Sequence, residues 1–164
     1  MTLFTDKILQ FFHDDGWPLL EVDPGKTWQL TFKGTQGLWT CYAEIREEFF
    51  QFTFYSICPI NVPAHKRAAV AELLTRLNSR LQLGNFEMDF DSGDLRYRTS
   101  LSLDGGAAVG DALDTALLKP LVYINVNMMD LFIPAIMAVS YGQASPMEAL
   151  VAIEDSPTDP GDQD

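Results

Sequence analysis

The first third of the chain alternates apolar and polar residues, as β-strands do when one face is buried. After a predicted helix at residues 2–15, strands are predicted at 19–22, 28–33, 38–46 and 49–56. In the second of these strands, Trp28, Leu30 and Phe32 face one side while polar residues separate them. Short turns join the strands, so we expect an antiparallel meander.

The pattern becomes helical over residues 64–83, where Val70, Leu74, Leu77 and others recur at helical spacing and Gly84 stands at the predicted end. Glu72 and Arg76 are spaced as an i,i+4 ion pair. Alternation then returns at residues 85–103, which indicates a hairpin that turns at residues 91–94.

Opposite charges suggest a register for this hairpin. If Phe90 lies opposite Leu95, then Asp89 faces Arg96, and Glu87 faces Arg98 on the solvent side. Such cross-strand pairs are each worth about 0.2–1 kcal/mol. We therefore expect this register.

A long helical pattern occupies residues 111–141, and Pro120 and Pro134 are expected to kink or split it. Ser145, Pro146 and Glu148 form a helix-start signature, which predicts a short helix to residue 154. The expected order is a helix, three or four strands, a helix, two strands and a long helix. This is an α+β fold with one antiparallel sheet backed by helices. The predicted shared face of the long helix consists of Leu113, Leu117, Leu121, Ile124, Met128, Phe132 and Ile136.

The chain has 164 residues, about one domain, and we expect a folded unit at 1–154 and a disordered acidic tail at 155–164. Its net charge is −12, with 23 acidic and 11 basic residues. Residues 154–164 hold five of the acids, so 18 acids and 11 bases remain, a charge of −7. This balance disfavours nucleic acid and anionic membranes as partners.

Targeting and redox signals favour a soluble, cytoplasmic protein. Cys41 and Cys58 belong to no CxxC or Cys/His cluster, so we expect both thiols to be reduced. The first residues carry Asp6 and Lys7, with no basic region before an apolar run, so we do not expect a secretory signal. The apolar stretch at residues 131–147 contains prolines and polar residues, and we do not expect it to span a membrane.

The second half of the chain resembles the bacterial YbjN family, whose members are described as sensory transduction regulators. The resemblance rests on residues 83–87 (LGNFE), 91–98 (DSGDLRYR), 129–130 (MD), 134–139 (PAIMAV), 141–142 (YG) and 145–150 (SPMEAL). It implies a fold similar to type III secretion chaperones, which are small α+β domains, often dimeric, that bind extended protein segments. The family offers no catalytic residue to carry over.

Candidate chemistry is sparse. Residues 89–94 resemble a calcium loop, but the twelfth position would be Ser100 and not a bidentate glutamate, so a turn explains them better. His13 and His65 lack the orienting partners of a catalytic site. Gly105, Gly106 and Gly110 lack the lysine of a phosphate-binding loop. We expect no metal, no cofactor and no enzymatic activity.

Two surfaces of the predicted fold are candidates for binding a partner. Glu44, Glu47, Glu48, Glu87 and Asp89 could share a sheet face with the arginines Arg46, Arg96 and Arg98. This face is either a solvated, charge-paired surface or a docking surface. The long helix has apolar residues on more than one stripe, which fits either burial on two sides or an exposed groove or dimer surface. The candidate partner-binding residues are Arg96, Arg98, Met128, Met129, Phe132 and Met137.

The leading hypothesis is a protein-binding or chaperone-like regulator, with a homodimer allowed, that uses either a sheet edge or a helical groove. The competing hypothesis is a small-molecule sensor or enzyme with a pocket between the sheet and the long helix. Its polar candidates would be Tyr42, Tyr97, Tyr123 and His65. A purely structural subunit is the third alternative.

Overall fold

The computed structural model describes residues 3–104 and 113–155, which fold around a six-stranded antiparallel sheet. The helices are α1 (Leu3–Asp14), α2 (Arg67–Asn78), α3 (Thr115–Ser140) and α4 (Pro146–Glu154). The strands are β1 (Leu20–Asp23), β2 (Thr27–Lys33), β3 (Leu38–Arg46), β4 (Gln51–Ile57), β5 (Asn85–Met88) and β6 (Leu95–Ser102). Short 3-10 helices at Glu47–Phe49 and Ala64–Lys66 precede β4 and α2. The strand order is β1-β2-β3-β4-β6-β5, and the predicted α+β class is confirmed.

Alternation along the strands decides which face of the sheet is covered. Every second residue of β3 and β4 is buried, beginning with Trp39 and Phe52. α3 contacts β4 and β6, and α1 adds Phe12, whose ring centroid lies 5.8 Å from that of Phe54. α2 contacts β5 and α3, and α4 contacts both α2 and α3. No described helix covers the opposite face, which we call the open face.

A polar network joins α3 to the sheet. Asn125 is fully buried, and its Nδ2 donates to the carbonyls of Phe54 at 2.8 Å and Tyr97 at 3.1 Å. The same amide lies 3.2 Å from the hydroxyl of Thr99, which donates to the Leu121 carbonyl at 2.8 Å. Because buried polar groups are costly without partners, this network specifies how α3 sits on β4 and β6.

The β5–β6 hairpin is offset by two residues from the predicted register. Met88, and not Phe90, lies opposite Leu95, and Glu87 lies opposite Arg96. The predicted cross-strand register is therefore wrong. An even offset leaves every side chain on its predicted face, so the charges still meet on the open face.

The hairpin turn explains this offset. Asp89 belongs to the turn, where its carboxylate accepts the backbone N–H groups of Ser92 at 3.1 Å and Asp91 at 2.8 Å. These hydrogen bonds lower the pKa of the Asp89 carboxyl. A carboxylate that caps its own turn in this way cannot serve as the predicted cross-strand partner of an arginine.

α2 is shorter than the helix predicted at residues 64–83. It ends at Asn78, and the chain then turns before Gly84. The Asn78 side chain explains the early end, since its amide donates to the Phe86 carbonyl at 3.0 Å and accepts the Phe86 N–H at 2.8 Å. The helix thereby binds the edge strand β5. The predicted ion pair between Glu72 and Arg76 is confirmed at 2.9 Å.

α3 is continuous although Pro120 and Pro134 lie inside it, so of the two predicted outcomes, a kink or a split, the split does not occur. Its predicted start at residue 111 lies outside the described residues. Phe132 and Ile136 of the predicted face are buried, but its other members between residues 117 and 128 are only half-buried. The observed buried stripe includes Leu118, Val122, Asn125, Val126, Met129, Ile133 and Ile136.

Among residues 3–104 and 113–155, α3 is the one helix long and apolar enough to cross a membrane by length and composition. Half of its most apolar window is buried inside the protein. The core helix of a soluble protein passes the same test. The packing of α3 on β4 and β6 therefore accounts for its apolar composition.

Both thiols should be unreactive in the folded protein. Cys41 and Cys58 are free and buried, and burial raises their pKa to about 12 and about 11, respectively. Since the thiolate is the reactive form, we expect almost no labelling by a thiol reagent at about pH 8. Unfolding in denaturant should release two reactive thiols per chain. Rapid modification of a native thiol would contradict this assignment.

Candidate functional site

The chain reverses direction at the end of α3, where a glycine terminates the helix. Gly142 adopts a left-handed backbone, with φ of 72°, just beyond Tyr141. Its N–H donates to the Val139 carbonyl at 3.1 Å, and the Gln143 N–H donates to the Ala138 carbonyl at 2.8 Å. These two bonds form a Schellman motif, which satisfies carbonyls at the end of the helix and fixes the direction of the exit.

α4 begins immediately afterwards with the predicted capping box. The Ser145 hydroxyl accepts the Glu148 N–H at 3.2 Å, and the Glu148 carboxylate accepts the Ser145 N–H at 2.9 Å. Pro146 occupies the first turn, where its fixed φ suits a helix. The predicted helix start is therefore confirmed, and residues 141–145 lock α4 beside α3.

The turn between β2 and β3 is also held against α3. The Asp130 carboxylate on α3 accepts the N–H groups of Thr35 at 2.9 Å and Gln36 at 2.8 Å. Gly34 allows this close approach, because a Cβ atom there would lie 2.4 Å from the Trp39 ring and 2.5 Å from the Asp130 carboxylate. The turn is thus held against the helix by charge-assisted hydrogen bonds.

α3, α4 and this turn enclose an open groove of about 650 Å³, which we call the α3–α4 groove. Leu131 stands at its edge with 51 % of its surface exposed. On the outer side of α4, Met147 and Val151 are each 45 % exposed and continue the apolar surface. Apolar and small side chains dominate the lining, which includes Met128, Leu131, Pro134, Ala138, Ala149 and Ile153.

The charged lining of the α3–α4 groove is entirely acidic. Asp130 and Glu148 contribute carboxylates, and no lysine or arginine is among the described residues that line it. Pro134 also lines the groove and has no N–H, so the Asp130 carbonyl lacks its usual donor four residues later. The groove is therefore mainly apolar, and its charged side chains are negative.

The open face of the sheet is the second candidate surface. Glu87 forms ion pairs with Arg96 at 2.8 Å and Arg98 at 2.7 Å. The Arg96 guanidinium also stacks 4.3 Å above the ring of Tyr55. Next to them on β3, Glu44 binds Arg46 at 3.1 Å. Charge pairing is thus confirmed for these residues, and such exposed pairs contribute little stability.

Other acids expected on this face lie elsewhere. Glu47 turns toward α1, where its carboxylate accepts the Thr5 N–H at 3.2 Å. Asp89 belongs to the β5–β6 turn, and Glu48 is exposed in the 3-10 helix before β4. Therefore only Glu44 and Glu87 of the expected acidic set lie on the open face.

The six predicted partner-binding residues do not form one surface. Arg96 and Arg98 lie on the open face, whereas Met128 lines the α3–α4 groove. Met129 is fully buried and Phe132 is 7 % exposed, so neither can belong to a surface. Met137 is half-buried against the core. The buried side of α3 is rotated relative to the predicted one, which brings Met129 into the core, whereas Phe132 is buried as a member of the predicted face.

The polar residues of the competing pocket hypothesis are not brought together. Tyr42 lies on the open face, and His65 lies in a 3-10 helix. Tyr97 is buried and donates to the Leu83 carbonyl, and burial raises its pKa to about 12. Core side chains of the sheet and α3 pack against each other, and the groove of about 650 Å³ lies instead between α3, α4 and the β2–β3 turn.

The last member of that set, Tyr123, has a structural partner. Its hydroxyl donates to the Asp15 carboxylate at 2.5 Å, which ties the end of α1 to α3. This hydrogen bond, together with one from the Trp17 indole at 3.1 Å, lowers the pKa of the Asp15 carboxyl. The group therefore contributes to the fold.

Leu131 was not predicted as a surface residue, nor were the small residues that line the groove, such as Ala138 and Ala149. A usable signal was present, since a glycine stop followed within three residues by a capping box predicts two adjacent helices. Among residues 3–104 and 113–155, no cluster of three or more His, Cys, Asp or Glu side chains could hold a metal ion. The glycines at 105, 106 and 110 lie outside the described residues.

Comparisons with known proteins now identify the family. Residues 5–118 match the YbjN family, described as "Putative bacterial sensory transduction regulator". Comparison with curated proteins gave no match. Among solved structures, the crystal structure of YbjN, described as "a putative transcription regulator from E. coli", has a similar fold, with a TM-score of 0.58 and 15 % identity over 84 % of this chain and 92 % of that chain. The family match covers more than half of the sequence, and the chain therefore belongs to the YbjN family.

Proposed function

We propose that the protein is a cytoplasmic regulator that acts by binding another protein in the α3–α4 groove. Regulation is the role described for the family. The observation that carries the binding proposal is the mainly apolar lining of the groove, with Leu131 51 % exposed at its edge. Exposed contiguous apolar surface is a common mark of protein interaction sites.

Rigidity of the groove supports the same proposal. The Schellman motif at Gly142, the capping box at Ser145 and the Asp130 contacts to the β2–β3 turn hold all three walls. A preformed groove needs little ordering when a partner binds, so more of the interaction free energy remains as affinity.

A sheet edge is the less favourable route to a partner. β1 is an edge strand, but its register shifts between Glu21 and Asp23, and both residues are exposed acids. A bulge and charged side chains are features that discourage strand addition. The groove has neither obstacle.

A small-molecule sensor is the second candidate, because about 650 Å³ lies within the usual range of ligand pockets. The polar groups of the groove favour it less. Asp130 already binds the β2–β3 turn, and Glu148 already binds the Ser145 N–H. A dose-dependent thermal shift with a metabolite, reduced by Leu131→Gln, would favour this candidate over protein binding.

Site-specific photo-crosslinking in the native cell tests protein binding. A photoreactive phenylalanine analogue at position 131 should capture a discrete protein, because this side chain would lie in the interface. The matched control is position 38, where Leu38 is 59 % exposed on β3. The proposal fails if position 131 gives no adduct beyond those at position 38.

A further inference from the structure

We infer that the segment bound in the α3–α4 groove is a basic amphipathic helix of the partner protein. This inference rests on the proposed function and specifies the chemistry of its partner. It follows from the shape of the groove, from the state of its polar groups and from the sign of its charge.

The dimensions of the groove suit a helix of about three turns. The α3 wall runs from Asn127 to Ala138, which is a rise of roughly 16 Å at 1.5 Å per residue. Small side chains at Ala138 and Ala149 line the floor, so side chains from a third helix can enter between α3 and α4. Apolar residues at positions i, i+3 or i+4, and i+7 would reach this floor.

The polar groups favour a helix over an extended segment. The described buried side-chain atoms without hydrogen bonds are Trp39 Nε1, Asn125 Oδ1 and Ser140 Oγ, and none of these residues lines the groove. Along the apolar floor formed by residues such as Pro134, Ala138 and Ala149, an extended backbone would bury N–H and C=O groups that find no side-chain partner there. A helix satisfies these groups internally and presents only side chains.

The charges favour a basic partner. Asp130 and Glu148 line the groove, Asp155 lies beside it next to Val151, and the whole chain carries −12. Lysine or arginine flanking the apolar stripe of a bound helix would be attracted to these negative charges, which remain although both carboxylates also accept backbone N–H groups of the groove walls. A second copy of the chain would bring like charges together at the same place, so we do not assign the groove to a homodimer.

Two model peptides of about 14 residues test the inference, since this length slightly exceeds the groove. One places leucines at helical spacing with lysines on the polar face, and the other replaces every lysine by glutamate. Fluorescence anisotropy with the full chain should give binding of the lysine peptide that weakens with added salt. The glutamate peptide should bind at least about tenfold more weakly.

Variants separate binding in the groove from general attraction to an acidic protein. Leu131→Gln keeps the charge and should weaken the lysine peptide by about tenfold, whereas Leu38→Gln on the open face should not. Glu148→Gln should weaken it by roughly threefold, since glutamine still accepts the Ser145 N–H in a capping box. The matched loss of charge at Glu48→Gln, outside the groove, should have less effect.

The outcomes are distinct for the two proposals. Equal affinity for both peptides, or an equal loss for Leu131→Gln and Leu38→Gln, overturns the basic-helix assignment. Crosslinking from position 131 to a protein whose contact segment is acidic or extended would also overturn it, while leaving protein binding intact. Absence of any crosslinked protein at position 131 overturns the proposed function itself.

Discussion

Replacing Gly93 by alanine should lower the free energy of unfolding by about 3 kcal/mol, as measured by denaturant titration. Gly93 has a left-handed φ of 78°, and an added Cβ atom would lie 2.2 Å from the Val62 carbonyl oxygen. That neighbour is backbone, and it cannot move without disturbing the bond from the Val62 N–H to the Gly93 carbonyl at 2.9 Å. The backbone strain and the steric overlap therefore both lower the free energy of unfolding of this variant.

The consequence should extend beyond one turn. Arg67, at the start of α2, donates to the carbonyls of Val62 at 3.1 Å, Phe90 at 3.0 Å and Asp91 at 2.7 Å. This arginine fastens the β5–β6 turn to the segment before α2, and a displaced Val62 would disturb it. We expect the midpoint of thermal unfolding to fall by about 10 °C.

Gly25→Ala is the matched control. Gly25 has a similar φ of 70°, but an added Cβ atom would meet nothing within 4 Å. This variant should lose only the backbone strain, about 1 kcal/mol. If both variants lost equal stability, the close approach at Val62 would not be the cause of the effect at Gly93.

The features that the sequence predicted well are those that depend on near neighbours in the chain. The β3 strand at Leu38–Arg46 and the capping box at Ser145 need only alternation or a four-residue motif. The i,i+4 pair of Glu72 and Arg76 is local in the same sense. Each was predicted correctly because the physical interaction lies inside the pattern.

Features that depend on long-range contacts were predicted less well. The buried stripe of α3 contains Asn125, a polar residue that apolar periodicity does not count, and its partners Phe54 and Tyr97 lie on two distant strands. The hairpin register similarly depends on how Asp89 caps its turn. The groove was missed because the Asp130 contacts to residues 35 and 36 span more than ninety positions.

The family resemblance rested on residues between 83 and 150, whereas the family match covers residues 5–118. The first strands therefore belong to the match, although the resemblance did not rest on them. The motifs at residues 129–150, which form the groove side of α3 and the start of α4, lie outside the matched range. Family membership accordingly supports the fold and the regulatory role, and the groove rests on its own geometry.

Asn125→Asp should destabilise the protein by about 4 kcal/mol at neutral pH, although the two side chains have nearly the same shape. The Nδ2 group donates to the carbonyls of Phe54 and Tyr97, and a carboxylate would place oxygen against oxygen in a fully buried site. Denaturant unfolding of the variant against the parent protein measures this loss.

The pH dependence of that loss identifies its cause. Burial would raise the pKa of the new carboxyl above its unfolded value of about 3.9, so the folded variant binds a proton more tightly than the unfolded chain. The stabilisation from this proton is fully present below the unfolded pKa and disappears as pH rises through the folded pKa. The loss of stability in Asn125→Asp should therefore become smaller at acidic pH.

Asn127→Asp makes the same chemical change at an exposed position on α3, and its effect on the free energy of unfolding should stay within about 0.5 kcal/mol. A deficit at Asn125→Asp that is independent of pH would show that lost hydrogen-bond donors, and not a buried charge, account for the effect.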